Sequence, residues 1–204
     1  MTAHLTADAL RVARHLLGLS QRDVEQRTGV ARKSLVSAEA TETAAMSRPS
    51  TLLRLRSFYE DQGIEFLGTI DVTTGVVRGL GARWRMPNQL PPVGTDQTPV
   101  HSHSTGLAFS AARALLDVKQ SEVCRVTSIS EHKLRALETG TTNDETARRR
   151  LRTFYEERGI EFLGWGDVSR GVFYGVGVRW RVVGEATRGS EPGISYEGNQ
   201  NDGP

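Results

Sequence analysis

Apolar positions along the chain follow two rhythms, a helical one and then an alternating one, and the pair of rhythms occurs twice. From Ala9, the residues Val12, Leu16 and Leu17 recur at the three-to-four-residue spacing of one helix face. Ser20 with Asp23 three positions on is an approximate capping box that opens a second helix. Thr28-Gly29 ends it, because glycine accepts the backbone of a tight turn. Ala31 through Ala38 can form a third helix, and Pro49 suits the first turn of a fourth that carries Leu52, Leu53, Leu55 and Phe58 inward. The series returns as Ala112, Leu115 and Leu116, then Gln120 to Val126, then Ser130 to Glu138, then a helix ending near Glu157. Each unit is thus expected to hold four short helices.

The rhythm then shortens to two. Val172, Tyr174, Val176, Val178, Trp180 and Val182 alternate with Phe173, Gly175, Gly177, Arg179 and Arg181, the pattern of a long strand with one apolar face. The earlier copy is weaker: Val76, Leu80, Ala82, Trp84 and Met86, with Arg78 intruding. Ile64 to Leu67 and Ile160 to Leu163 are the natural hairpin partners, joined through Asp71 to Gly75 and Asp167 to Gly171. A lone hairpin is marginal in water and leaves its edges open, so the two hairpins are expected to pair or pack about a pseudo-two-fold axis. The fold class read from these patterns is mainly α with C-terminal β-hairpins (α+β), in two duplicated units.

The duplication is explicit in the residues: Arg54-Leu55-Arg56-Ser57-Phe58-Tyr59-Glu60-Asp61-Gln62-Gly63-Ile64-Glu65-Phe66-Leu67-Gly68 returns as Arg150-Leu151-Arg152-Thr153-Phe154-Tyr155-Glu156-Glu157-Arg158-Gly159-Ile160-Glu161-Phe162-Leu163-Gly164. A spacing of roughly one hundred residues is too long for a solenoid repeat and reads as duplicated domains. The expected division is 5–86 for the first unit, 87–107 for a proline-rich linker, 108–183 for the second unit and 184–204 for a disordered tail.

Composition narrows the class. With 204 residues and 37% hydrophobic content the chain can bury two small cores. It has no run of about 18 apolar residues, and Met1 to Thr6 lacks the basic-then-apolar order of a secretory signal, so a cytoplasmic protein with no membrane partner is expected. The formal net charge of +2 permits nucleic acid as a partner without implying it. The one cysteine, Cys124, offers no intramolecular disulfide and reads as a core residue. His101-Ser102-His103 reads as loop, and no metal or cofactor is expected. No Ser-His-Asp set, carboxylate pair or phosphate loop is visible, so the chain is not read as an enzyme.

Two short helices joined by a turn can set the second into the major groove of DNA while the first crosses the backbone. The segment Ser20 to Glu39 resembles the helix-turn-helix of the Cro/C1-type (XRE) regulators of bacteria and phages through Gln21, Val24, Gly29, Val30, Ser34, Leu35 and Glu39. The second copy is similar through Gln120, Val123, Ile129, Leu134, Leu137 and Glu138, followed by Gly140. Three positions depart from that pattern: Glu25 stands at a usually small buried position, Ser128 replaces the turn glycine, and Ala40-Thr41 lacks the glycine after Leu-Glu.

The resemblance implies that Gln21 and Gln120 hold a phosphate from the head of the second helix. It places Ala31, Arg32, Lys33 and Ser37 on the outward face of the first recognition helix, where Arg and Lys can donate to guanine O6 and N7. Arg48 resembles a basic residue directed at the DNA backbone or minor groove. The second copy offers Ser130, Glu131, His132, Lys133 and Ala136; Glu accepts from cytosine N4 and repels phosphate, so the copies should read different bases. The expected function is a sequence-specific, double-stranded DNA-binding transcriptional regulator in which diverged units act as an intramolecular pseudo-dimer on an operator. RNA polymerase or another regulator is a further candidate partner, and the hairpin strands a candidate homodimer surface. The alternative is a protein-interaction regulator, an antiactivator or antitoxin, that binds another regulator through its helices and hairpin edges.

Overall fold

The structure is a computed structural model that describes residues 5–41, 47–87 and 101–182. Most of the proline-rich segment and the tail from 184 therefore lie outside the described residues. The chain is an α+β fold. Its elements run α1 (Ala7–Leu16), α2 (Gln21–Thr28), α3 (Arg32–Glu39), α4 (Pro49–Asp61), β1 (Ile64–Ile70), β2 (Val77–Trp84), β3 (Ser102–His103), α5 (Phe109–Leu116), α6 (Gln120–Thr127), α7 (Glu131–Glu138), α8 (Glu145–Glu156), β4 (Ile160–Asp167) and β5 (Val172–Trp180). The same series of four helices and a hairpin thus occurs twice. None of these helices is long and apolar enough to cross a membrane.

Local chemistry sets the helix ends. Thr6 accepts from the backbone N–H of Ala9 at the start of α1, Ser20 and Asp23 complete a reciprocal capping box on α2, and Asp144 accepts from Ala147 on α8. Gly29 closes α2 at φ +67 in the left-handed region; Ser128 takes the same conformation at φ 55 in the second series, a position where a side chain is strained.

All strand pairings are antiparallel. β1 pairs with β2 and β4 with β5, and the hairpins join because β2 pairs with β5. The joining register is Gly81↔Arg179, Ala82↔Val178 and Arg83↔Gly177. Residue n of the first hairpin corresponds to n + 96 in the second (Ile64 and Ile160), so the register is symmetric about the Ala82–Val178 pair. Neighbouring contacts obey the same symmetry: Val182 sits over Gly79 and Met86 over Gly175, equivalent positions exchanged across the axis. A pseudo-two-fold axis therefore passes through the sheet, as the open hairpin edges led one to expect.

The axis continues through the helical layer, where α1 packs on α5. The Arg11 guanidinium donates from Nε to the Ala114 carbonyl at 2.9 Å, and His15 Nδ1 lies 2.8 Å from Ser110 Oγ. In this layer the offset is 99, so Ser110 is the counterpart of Arg11 and Ala114 that of His15. The two contacts are thus mates across the axis, large polar residues from α1 meeting small ones from α5. Arg11 is 6% exposed and also donates to the Glu39 carbonyl and to Asp8. Trp180 Nε1 donates to Asp8 at 3.1 Å. Its mate Trp84 is buried and finds no acceptor among the described residues, because Leu107 stands in the place of Asp8.

Three expectations are corrected by this packing. The chain does not bury two separate cores: Leu10, Val24, Leu35, Leu55, Tyr59 and Ile64 belong to the same continuous cluster as Phe109, Val123, Leu134, Leu151, Tyr155 and Ile160. Nor is the end of the linker a plain loop. Ser102–His103 pairs with Tyr174 and Phe173 of β5, and the His101 ring stacks on Trp84 with centroids 3.4 Å apart. Leu53, expected inward, is 62% exposed, whereas Leu52, Leu55 and Phe58 pack inward as expected, beside the fully buried Tyr59.

Candidate nucleic-acid interface

Behind each pair of short helices lies one repeated polar network. In the first series Arg14 Nε donates to Glu39 Oε1 at 2.7 Å, Arg14 Nη1 to the Leu19 carbonyl, and Gln21 Nε2 to Glu39 Oε2 at 2.9 Å. In the second Arg113, Glu138, Val118 and Gln120 make the same bonds. The Glu39 side chain is only 4% exposed and that of Glu138 7%. A buried carboxylate needs charge and hydrogen bonds at each oxygen, and Arg and Gln supply them while tying the end of the third helix to the start of the second. Gln21 and Gln120, expected to hold phosphate, are therefore committed through Nε2 to this internal brace.

The departure at Glu25 has a structural role. Ala31 gives α3 no side-chain cap; Glu25 Oε1 reaches across the turn and accepts from the backbone N–H of Arg32 at 2.8 Å. In the second series Cys124 occupies that place, half-buried beside the core, with its thiol pKa raised chiefly by burial. There α7 is capped by Ser130, which accepts from Lys133. Each candidate recognition helix thus has one N-terminal acceptor, taken from a different position.

The outward faces differ in charge. Ala31, Arg32, Lys33 and Ser34 are exposed along the first turn of α3, with Ser37 half-buried a turn later. Among the described residues no carboxylate pairs with the Arg32 or Lys33 side chain, and Arg48 is exposed just before α4. On α7, Ser130, Glu131, His132 and Lys133 are exposed and Ala136 half-buried. Lys133 Nζ is held by Asp144 at 2.7 Å, which depresses the Asp144 pKa, and Arg135 pairs with Glu131 at 3.3 Å. Among the described residues the α3 face therefore offers cations without a carboxylate partner, while the α7 face presents neutralised ones. Sequence reasoning missed Arg135, which lies exposed on α7; its spacing of four from Glu131 was the available signal.

Three arginines on or beside the strands are engaged within the protein. Arg83 pairs with Glu65 and Arg179 with Glu161, at equivalent cross-strand positions, and Arg85 donates to the Glu60 carbonyl. Among the described residues no group of three or more His, Cys, Asp and Glu side chains could hold a metal ion. Comparison of the chain with protein-family models, with curated proteins and with solved structures finds no match to any of them.

Proposed function

We propose that the chain is a cytoplasmic, sequence-specific double-stranded DNA-binding transcriptional regulator whose two diverged helical units replace the two subunits of a dimer. The observation that supports this reading is the symmetric β2–β5 register, which relates the first unit to the second about one axis and so pairs the exposed faces of α3 and α7. A duplex has local two-fold axes of its own, so paired readers about one axis can enter successive turns of one groove, roughly 34 Å apart. Because α3 carries cations with no carboxylate partner among the described residues and α7 carries Glu131 with neutralised ones, the operator is asymmetric in sequence and the α3 half supplies more phosphate attraction.

The test is a salt-dependent anisotropy titration on a duplex selected by the protein. Arg32→Ala or Lys33→Ala weakens binding by about 1 to 3 kcal/mol if the residue meets a base edge, and lowers the salt slope by about one if it meets a phosphate. Unchanged affinity and slope in both variants would remove α3 from the reading. The protein-interaction alternative draws support from α7, whose neutralised face suits a protein surface better than a polyanion.

A further inference from the structure

The duplication offers an internal comparison that isolates what only one unit has acquired. Between the C-terminal end of α6 and the length of α8 lies an open depression of about 800 Å³, with Val126 and Phe154 in its lining. Val126 is 45% exposed, so the depression has an apolar patch. Arg149, Arg150 and Arg158 surround it. Among the described residues the Arg150 guanidinium donates only to the Thr127 carbonyl; that of Arg158 donates to the Phe154 carbonyl and lies 3.7 Å over the Phe154 ring. Neither has a carboxylate partner among the described residues. Arg149, with its side chain 79% exposed, has one distant partner, Glu145 at 3.8 Å.

Other arginines of the second unit are matched more closely: Arg152 with Glu156 at 2.7 Å, Arg179 with Glu161 at 2.8 Å, and Arg170 with Asp167 at 3.2 Å. The counterparts of Arg149 and Arg158 in the first unit are Leu53 and Gln62, so two of the three guanidiniums belong to the second unit alone. A guanidinium bonded only to a carbonyl keeps free N–H donors in the planar fork that matches a carboxylate.

We infer that the α6–α8 groove of the second unit is a docking site for an acidic peptide of a partner protein, with carboxylates on Arg149, Arg150 and Arg158 and an apolar side chain on Val126. The concave shape and apolar patch fit a peptide side chain, which a row of phosphates would leave unmatched, and Glu145 and Glu157 in the lining favour carboxylates that are spaced rather than continuous. The inference stands whether or not the chain binds DNA.

It is tested on the full chain by fluorescence anisotropy with a fluorescein-labelled peptide rich in glutamate and carrying two leucines. Saturable binding is expected, weakened about tenfold or more by replacing every glutamate with glutamine. It is weakened likewise by Arg149→Glu combined with Arg158→Glu, and less by the milder Arg149→Gln with Arg158→Gln, each checked for an unchanged melting curve. Arg22→Glu, on the exposed surface of the first unit, leaves it unchanged. Equal binding of the glutamine peptide, equal binding by the variants, or an affinity for random duplex DNA that falls with Arg149→Gln and Arg158→Gln as much as the peptide's does would each overturn the assignment, the last by giving the groove to phosphate.

Discussion

His15 illustrates how a single side chain records the contact between the units. It is held neutral: burial, helped by the Arg14, Arg113 and Arg11 charges, lowers its pKa from 6.5 to about 3. A folded pKa below the unfolded one means that the unfolded chain binds the proton more tightly. The stability contributed by neutral His15 is complete above about pH 6.5 and is lost as pH falls from there toward 3, by up to about 1.4 kcal/mol per pH unit. Denaturant titrations at pH 7 and pH 5 should therefore show a loss of about 2 kcal/mol that is absent in His15→Asn, which keeps a hydrogen-bonding group near Ser110. An equal loss in the variant would mean that the proton goes elsewhere.

At this scale the sequence disclosed residue types and faces but not partners. Arg32 and Lys33 stand exposed, as the resemblance to a helix-turn-helix implied. The engagement of Gln21 by Glu39, or the cap that Glu25 supplies to α3, depends on side-chain reach across a turn, and no local pattern encodes that.

Among the elements, the joined strands are the most sharply specified. A Cβ added to Gly81 would meet the Val178 carbonyl oxygen and lie 2.6 Å from the Arg179 Cα, and one on Gly177 would meet Ala82 and Arg83. Alanine ordinarily improves a strand by reducing unfolded-state entropy; here it pushes β2 from β5. Gly81→Ala is expected to destabilise the chain by about 1 to 3 kcal/mol, as overpacking does, and to reduce amide-exchange protection in both hairpins together. Loss confined to the first hairpin would contradict a shared sheet. The helices and long strands were legible because period 3.6 and period 2 are strong signals over eight or more residues. β3 was not, since its two residues carry no period and become strand only by pairing with β5. Leu53 was misread because apolar residues on three sides of α4 left its inward face ambiguous.

The whole molecule is a pair of similar units that have become unlike at their contact. Arg11, His15 and Asp8 of the first unit face Ala114, Ser110 and Trp180 of the second. Their mates across the axis are Ser110, Ala114 and Leu107, so a pairing of two first units would set Arg11 against a second His15 while losing the small residues that accommodate them. Duplication and hairpin pairing could be read from the sequence, whereas the single core could not, because repeated segments do not say whether their buried faces meet. The central claim is that this fixed, unequal pair reads one asymmetric DNA site. Selection of bound duplexes from a randomised pool tests it most directly, run in parallel with the intact chain, with Arg32→Ala combined with Lys33→Ala, and with Glu131→Ala combined with His132→Ala. The account predicts one enriched site of two unlike segments centred about one helical turn apart, with each variant altering the preference in a different segment. A palindromic site, changes in both segments from either variant, or no enrichment at all would contradict it.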